Sequence, residues 1–258
     1  MQIDASKEQG RAAQKMAGIF AIIIILLALV VPADVFGMNF MFTVHMIQHL
    51  LLSLAAPPLL LLGISSWRFR QFFAHHTRVE RVITILTIPF LASALFNATL
   101  WIWHAPPMLY AMMSNEGLHI GVNILYLAAG LLFWWPLLNP TGEEKRALSL
   151  GGKLAYLFFS DMPMMLLGAG MTFSPPLYTI AMTNPSMNMA VTQLDQQLGG
   201  LLMWVVGSIF FIVLASIFFL RWMLQQEKVA QAKEIYEEEE LDDPDYAPVA
   251  TDTFSSGQ

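Results

Sequence analysis

Residues 40–63, FMFTVHMIQHLLLSLAAPPLLLLG, decide how the rest of the chain is read. Two histidines, His45 and His49, open an otherwise apolar run four residues apart. On a helix that spacing sets both imidazoles on one face, one turn apart. Polar side chains at membrane depth are costly and usually functional, so the pair needs a reason. Two readings supply one: histidines hydrogen-bonded to neighbouring helices, or half of a metal site.

Composition sets the class. The 258 residues are 56% hydrophobic and 12% charged, with a mean hydropathy of +0.57. Soluble domains carry about 25% charged residues, so this pattern implies an integral membrane protein in contact with the lipid bilayer. The net charge of −6 comes from the acidic tail, and nothing points to a nucleic-acid partner. The chain has no cysteine, which excludes disulfides, iron–sulfur clusters and thiolate metal sites. A soft metal would have to use His and Met, and there are 17 methionines. No nucleophile motif or phosphate loop is present, so the protein is expected not to be an enzyme.

Outward from the histidine run, the hydropathy pattern predicts an all-α bundle of six transmembrane helices. Met16–Val35 reads as an uncleaved first span rather than a signal peptide, since no small-x-small site follows it. The second span covers about 40–62 and is expected to kink at Pro57-Pro58. A basic loop, 63–81, leads to a third span over 82–103. The fourth covers about 118–138, the fifth 154–172 and the sixth 197–220. Residues 1–221 form the membrane domain on this reading, and 222–258 form an acidic, disordered cytoplasmic tail.

Orientation follows from the basic residues. With both termini cytoplasmic, all 13 Lys and Arg fall on the inner side. They are Lys7, Arg11 and Lys15; Arg68, Arg70, Arg78 and Arg81; Lys145, Arg146 and Lys153; and Arg221, Lys228 and Lys233. The outer loops hold none, which is the positive-inside pattern.

This topology gathers the chemistry. His45 and His49 lie roughly 7 and 13 Å below the outer end of the second helix. His104 closes the third helix on the same side and His119 opens the fourth. His75 and His76 sit in the basic loop and read as solvated. Three or four neutral imidazoles are a candidate first shell for a transition metal. Met38, Met41, Met46, Met108, Met112, Met113, Met171, Met182, Met187 and Met189 lie in or near the outer face. Thioethers tilt the choice toward Cu(I), although Met also fills irregular gaps in cores. The strings MLYAMMSN and MTNPSMNM read as methionine-rich outer loops. Asp195 opens the sixth helix as a metal ligand or a helix cap. Asp161, halfway along the fifth, needs a partner or a proton.

The strings HMIQHLLLSLAAPPLLLLG (45–63), WHAPPMLY (103–110), GLLFWWPLL (130–138) and DQQLGGLLMW (195–204) resemble the CtaG family of caa3-type cytochrome c oxidase assembly factors. That resemblance covers most of the chain between Met38 and Met203. It implies a bacterial plasma-membrane protein that matures heme–copper oxidases. Copper would be received on the outer side, with an extracytoplasmic copper chaperone as one source, and delivered to an oxidase subunit. It marks His45, His49, His104 and His119 with the run Asp195-Gln196-Gln197. One departure is Asn123, where the family often has a second histidine one turn after His119; another is an additional span in some members. The alternatives are a structural subunit of a respiratory complex and a b-type cytochrome with heme between two histidines.

Overall fold

The computed structural model describes residues 2–30, 41–144, 147–178 and 189–242, and among these every regular element is helical. Helix α1 (Gln2–Val30) carries the first apolar stretch. It lies against the foot of the second span, where a Cβ added to Gly63 would fall 2.6 Å from the Cα of Gly18. Two glycines let the backbones touch, which is how helices approach closely in lipid.

The second span is three pieces. Helix α2 (Met41–Leu50) carries the histidine pair, a π-helical turn covers Leu51–Ala55, and α3 (Ala56–Gly63) completes the crossing. The expected proline disruption is met here by the wider turn. Ser53 O would look for an amide at position 57 or 58, and both are prolines without one. The indole of Trp134 donates to that carbonyl instead, at 3.2 Å. The Ser53 hydroxyl in turn donates to His49 O at 2.6 Å.

The basic stretch expected as a loop is folded as two short helices, α4 (Ser66–His75) and α5 (Thr77–Leu86). Arg70 donates to the carbonyl of Thr141 at 3.0 Å. The third span is also revised. Ile88 is extended, as the residue before a proline prefers, and Pro89 opens α6 (Pro89–Trp103). The chain therefore bends by 76° between α5 and α6. At 15 residues α6 alone is about 22 Å long, against a hydrocarbon core of about 30 Å. Among the described residues, five helices are long and apolar enough to cross a membrane, or six if this bent pair counts as one crossing.

Helix α7 (Pro106–Met113) is short and lies between α6 and α8 (Glu116–Leu138). MLYAMM is therefore helical rather than loop, with Leu109 and Met112 buried. The Asn115 side chain caps α8 by accepting from the Leu118 amide at 2.9 Å. Helix α9 (Leu150–Phe173) packs on α10 (Met189–Leu201). Their crossing is as tight as the first: a Cβ at Gly200 would lie 2.8 Å from Gly168 O. A second π-helical turn, Leu202–Val206, leads into α11 (Gly207–Asp242). Phe133 centres the core, with Phe96 and Tyr156 rings stacked on it at 4.6 and 5.2 Å.

Helix α11 runs on past residue 221, where the membrane domain was expected to end. It continues to Asp242, with Gln, Glu, Lys and Ala at most positions and the first proline only at Pro244. Strong helix formers extend an existing helix without new nucleation. Residues 243–258 lie outside the described residues.

The bundle has two unlike ends. The histidines stand where α2 and α8 begin and α6 closes; the arginines of α4 and α5 stand at the other. A single cysteine placed at Asn115 and one at Glu144 should react with an impermeant maleimide from opposite sides of the membrane. The native chain has no cysteine to confuse the assay. Equal labelling of both in intact cells would contradict α8 as a crossing.

Candidate metal centre

Helix periodicity builds the centre from three directions. His45 and His49 occupy adjacent turns of α2, both buried, with ring centres 3.9 Å apart. His104 follows the last turn of α6, held by its amide donating to Leu100 O at 3.1 Å. Its ring centre is 5.8 Å from that of His49. His119, in the first turns of α8, comes to 5.3 Å from His45. All four histidines named from the sequence therefore meet in one cluster, in contact from helix to helix.

Two imidazoles that share one ion, with each nitrogen about 2 Å from it, have ring centres about 5 Å apart. The His45–His119 and His49–His104 pairs stand near that spacing, and His45–His49 stands closer. As the rings lie, no three His, Asp or Glu among the described residues form a group that could hold a metal ion. The backbones bring the four imidazoles together, and sharing an ion would require the rings to turn.

Hydrogen bonding singles the cluster out. Both ring nitrogens of His45, both of His49, and Nε2 of His119 are buried with no hydrogen-bond partner. Buried polar atoms are nearly always paired, so such a concentration is unusual. His104 differs. Its Nδ1 lies 2.7 Å from Leu100 O, and a carbonyl can only accept, so the proton is on Nδ1. Nε2 thus keeps its lone pair, 3.4 Å from the sulfur of Met46. Fixing the tautomer through the outer nitrogen is how proteins orient histidine ligands.

One neighbour of the cluster is not marked by any of the sequence motifs. Tyr126 lies with its ring 4.0 Å from His49 and its hydroxyl 3.3 Å from His104 Nδ1. Spacing alone could find it, because it stands seven residues after His119 on the same face of α8. Asn123, between them, is buried with its Oδ1 unpartnered. Of the methionines, Met46 reaches the cluster, Met112 and Met171 are buried, and Met108 and Met189 are exposed. Met38, Met182 and Met187 lie outside the described residues, as does most of the string MTNPSMNM.

Asp195 stands elsewhere. It lies two turns inside α10 rather than at its start, and its carboxylate faces the first turn of α2. Oδ2 accepts from the Phe42 amide at 2.9 Å, and Oδ1 accepts from the Thr43 amide at 2.9 Å and the Thr43 hydroxyl at 2.5 Å. Gln196 donates to Met171 O, Ser174 Oγ and Pro175 O, and its oxygen accepts from the Leu177 amide. Tyr178, in the segment so held, donates to His104 O at 2.7 Å and stacks on Phe42. Burial pushes the Tyr178 phenol up to about 12, so it remains a donor at physiological pH.

Asp161 is remote from this cluster in chain position and lies on α9 with Oδ1 unpartnered. Its neighbour Ser160 donates to Ser93 Oγ at 2.7 Å, and Asn97 donates to Ser160 O at 3.2 Å. These bonds form a polar seam between α6 and α9.

Comparison with known proteins agrees with the motifs. The chain is 24% identical over 240 residues to two mycobacterial proteins, named uncharacterized protein Mb0105 of Mycobacterium bovis and uncharacterized protein MT0111 of Mycobacterium tuberculosis. Each match takes in 84% of this chain but 34% of the relative, so the chain spans about a third of their length. No solved structure matches it. The sequence pattern of the cytochrome c oxidase caa3 assembly factors (Caa3_CtaG) matches residues 5–225, and the chain belongs to that family.

Proposed function

We propose that this protein carries copper as cargo for a heme–copper oxidase in a bacterial plasma membrane. Cu(I) is held among His45, His49, His104 and His119 in the extracytoplasmic half of the bilayer and released sideways to an oxidase subunit. The observation that carries this reading is the set of orphaned imidazole nitrogens on His45, His49 and His119. Leaving a buried polar atom unpaired costs about 1 to 3 kcal/mol, and coordination to a metal removes that cost for the one nitrogen of each ring that binds. Imidazole beside the Met46 thioether suits a soft, monovalent copper ion. The cluster takes its ligands from the bundle end away from the arginines, which the positive-inside rule places outside. There an extracytoplasmic chaperone can load it.

The packing argues against heme. A porphyrin between axial histidines needs a flat slot, and here the imidazoles touch each other and the Tyr126 ring. A scaffold that stays with the oxidase without moving metal remains the second reading, since the family is defined by assembly.

The test is a Cu(I) titration of the purified protein in lipid nanodiscs against a competing chelator. Wild type should bind about one equivalent, with histidine nitrogen and sulfur in the copper X-ray absorption spectrum. The double variant His45→Leu/His49→Leu should lose binding by at least about 100-fold while melting normally, since leucine suits the hydrocarbon. Equal copper content in the two proteins would overturn the site.

A further inference from the structure

We infer that Asp195 is a positioning residue: from α10 it caps α2 and so sets where His45 and His49 point, without itself holding the cargo ion. The inference rests on the copper reading for what the histidines do, but the cap itself does not.

A helix begins with amides that have no partner inside the helix, and a side-chain oxygen on the second or third of them is the usual remedy. Phe40 and Met41, at the start of α2, have no side-chain oxygen to offer. Asp195 supplies it across the bundle, to Phe42 through one carboxylate oxygen and to Thr43 through the other. Thr43 returns the contact by donating its hydroxyl to the same carboxylate and approaching Asp195 O at 3.2 Å. Negative charge at a helix N-terminus is also favoured by the helix dipole.

With three donors on its two oxygens, the carboxylate is engaged by the helix, two residues before His45. An ion bound to those oxygens would have to compete with the bonds that hold the histidines in place. The next residue extends the arrangement. Gln196 fixes the segment 174–178, from which Tyr178 grips the backbone of His104. The stack of Phe42 on Tyr178, with ring centres 4.9 Å apart, joins the two branches. Adjacent residues of α10 thus steady histidines that arrive on two other helices.

The experiment uses the full chain in nanodiscs with Asp195→Ala, Asp195→Asn and Thr43→Val. Hydrogen exchange of metal-free protein reads the cap alone. Exchange at Phe42 and Thr43 should quicken about fivefold or more in Asp195→Ala. It should rise less in Asp195→Asn, whose carbonyl still accepts, and least in Thr43→Val. Cu(I) affinity should fall about 10- to 100-fold in the alanine variant and recover in part with asparagine, in the same order as exchange. At saturating copper, the absorption spectrum should show the same ligand shell in all four proteins.

Unchanged exchange in Asp195→Ala would overturn the cap. A copper shell that loses an oxygen in both Asp195 variants would make Asp195 a ligand and overturn the inference from the other side. Should wild type bind no copper while exchange still quickens, the copper reading fails and the capping role stands. If the alanine variant does not fold, the asparagine and Thr43→Val proteins still separate these three outcomes.

Discussion

Gly130→Leu should yield no folded protein, and Gly130→Ala should lower stability by about 1 to 3 kcal/mol, the usual cost of overpacking. Gly130 is on α8 where it crosses the π-helical turn of the second span. A Cβ there would lie 2.7 Å from both Ser53 O and Pro57 Cγ, closer than real Cβ atoms come. Neither obstacle is a flexible side-chain tip; one is backbone and the other a proline ring. Helix α8 would have to move away, and the bond from Trp134 to Ser53 O, one turn further on, would stretch or break. The freed carbonyl has prolines where its backbone donors would be, so the loss is not made good. Gly121, on the same helix with nothing within 4 Å, is the control: Gly121→Ala should stay within about 0.5 kcal/mol of wild type. Thermal melting in detergent followed by tryptophan fluorescence measures all three. Equal melting of Gly130→Ala and Gly121→Ala would contradict the contact between α8 and the turn.

The largest functional effect should come from His49→Leu in living cells. His49 is the deepest of the histidines along α2 and touches the His45 and Tyr126 rings, with the His104 ring close by. Leucine removes its two unpartnered nitrogens and adds an apolar group, so insertion and stability should hold or improve. Under copper delivery the oxidase accumulates with heme but little of its buried copper. The copper-to-heme ratio of oxidase purified from these cells should fall severalfold, and added copper should restore part of it. Under the scaffold reading the ratio stays normal, because no ligand is needed. A normal ratio with normal respiration would end the delivery proposal and leave assembly by contact alone.

Much of the centre is legible in the sequence because helical spacing and loop polarity are local. His45 and His49 share a face by arithmetic, and short connections force His104 and His119 to the same end. What is not legible depends on partners distant in sequence. Asp195 looks like a cap for its own helix, but the amides it serves are about 150 positions earlier, and no local pattern records them. Tyr178 acts through a backbone carbonyl, which any residue at 104 would present. The bend at Thr87–Ile88 follows from Pro89 but is hidden by an unbroken apolar run, since hydropathy measures solubility in lipid and not direction. In the tail, acidity suggests disorder, while the helix propensity of the same residues carries α11 on to Asp242.

The π-helical turn behind His49 has a consequence for how such chains are compared. It houses one more residue than an α-helical turn would, and each residue of a helix turns the chain by about 100°. The two halves of the span are therefore out of phase: the upper half aims imidazoles inward while the lower half keeps its own packing face. Losing a single letter between Leu51 and Ala55 would leave the hydropathy and the motif HMIQH intact. It would also swing both histidines by about 100° against α3. Two sequences that match letter for letter at the histidines, but differ by one residue after them, do not present the same centre.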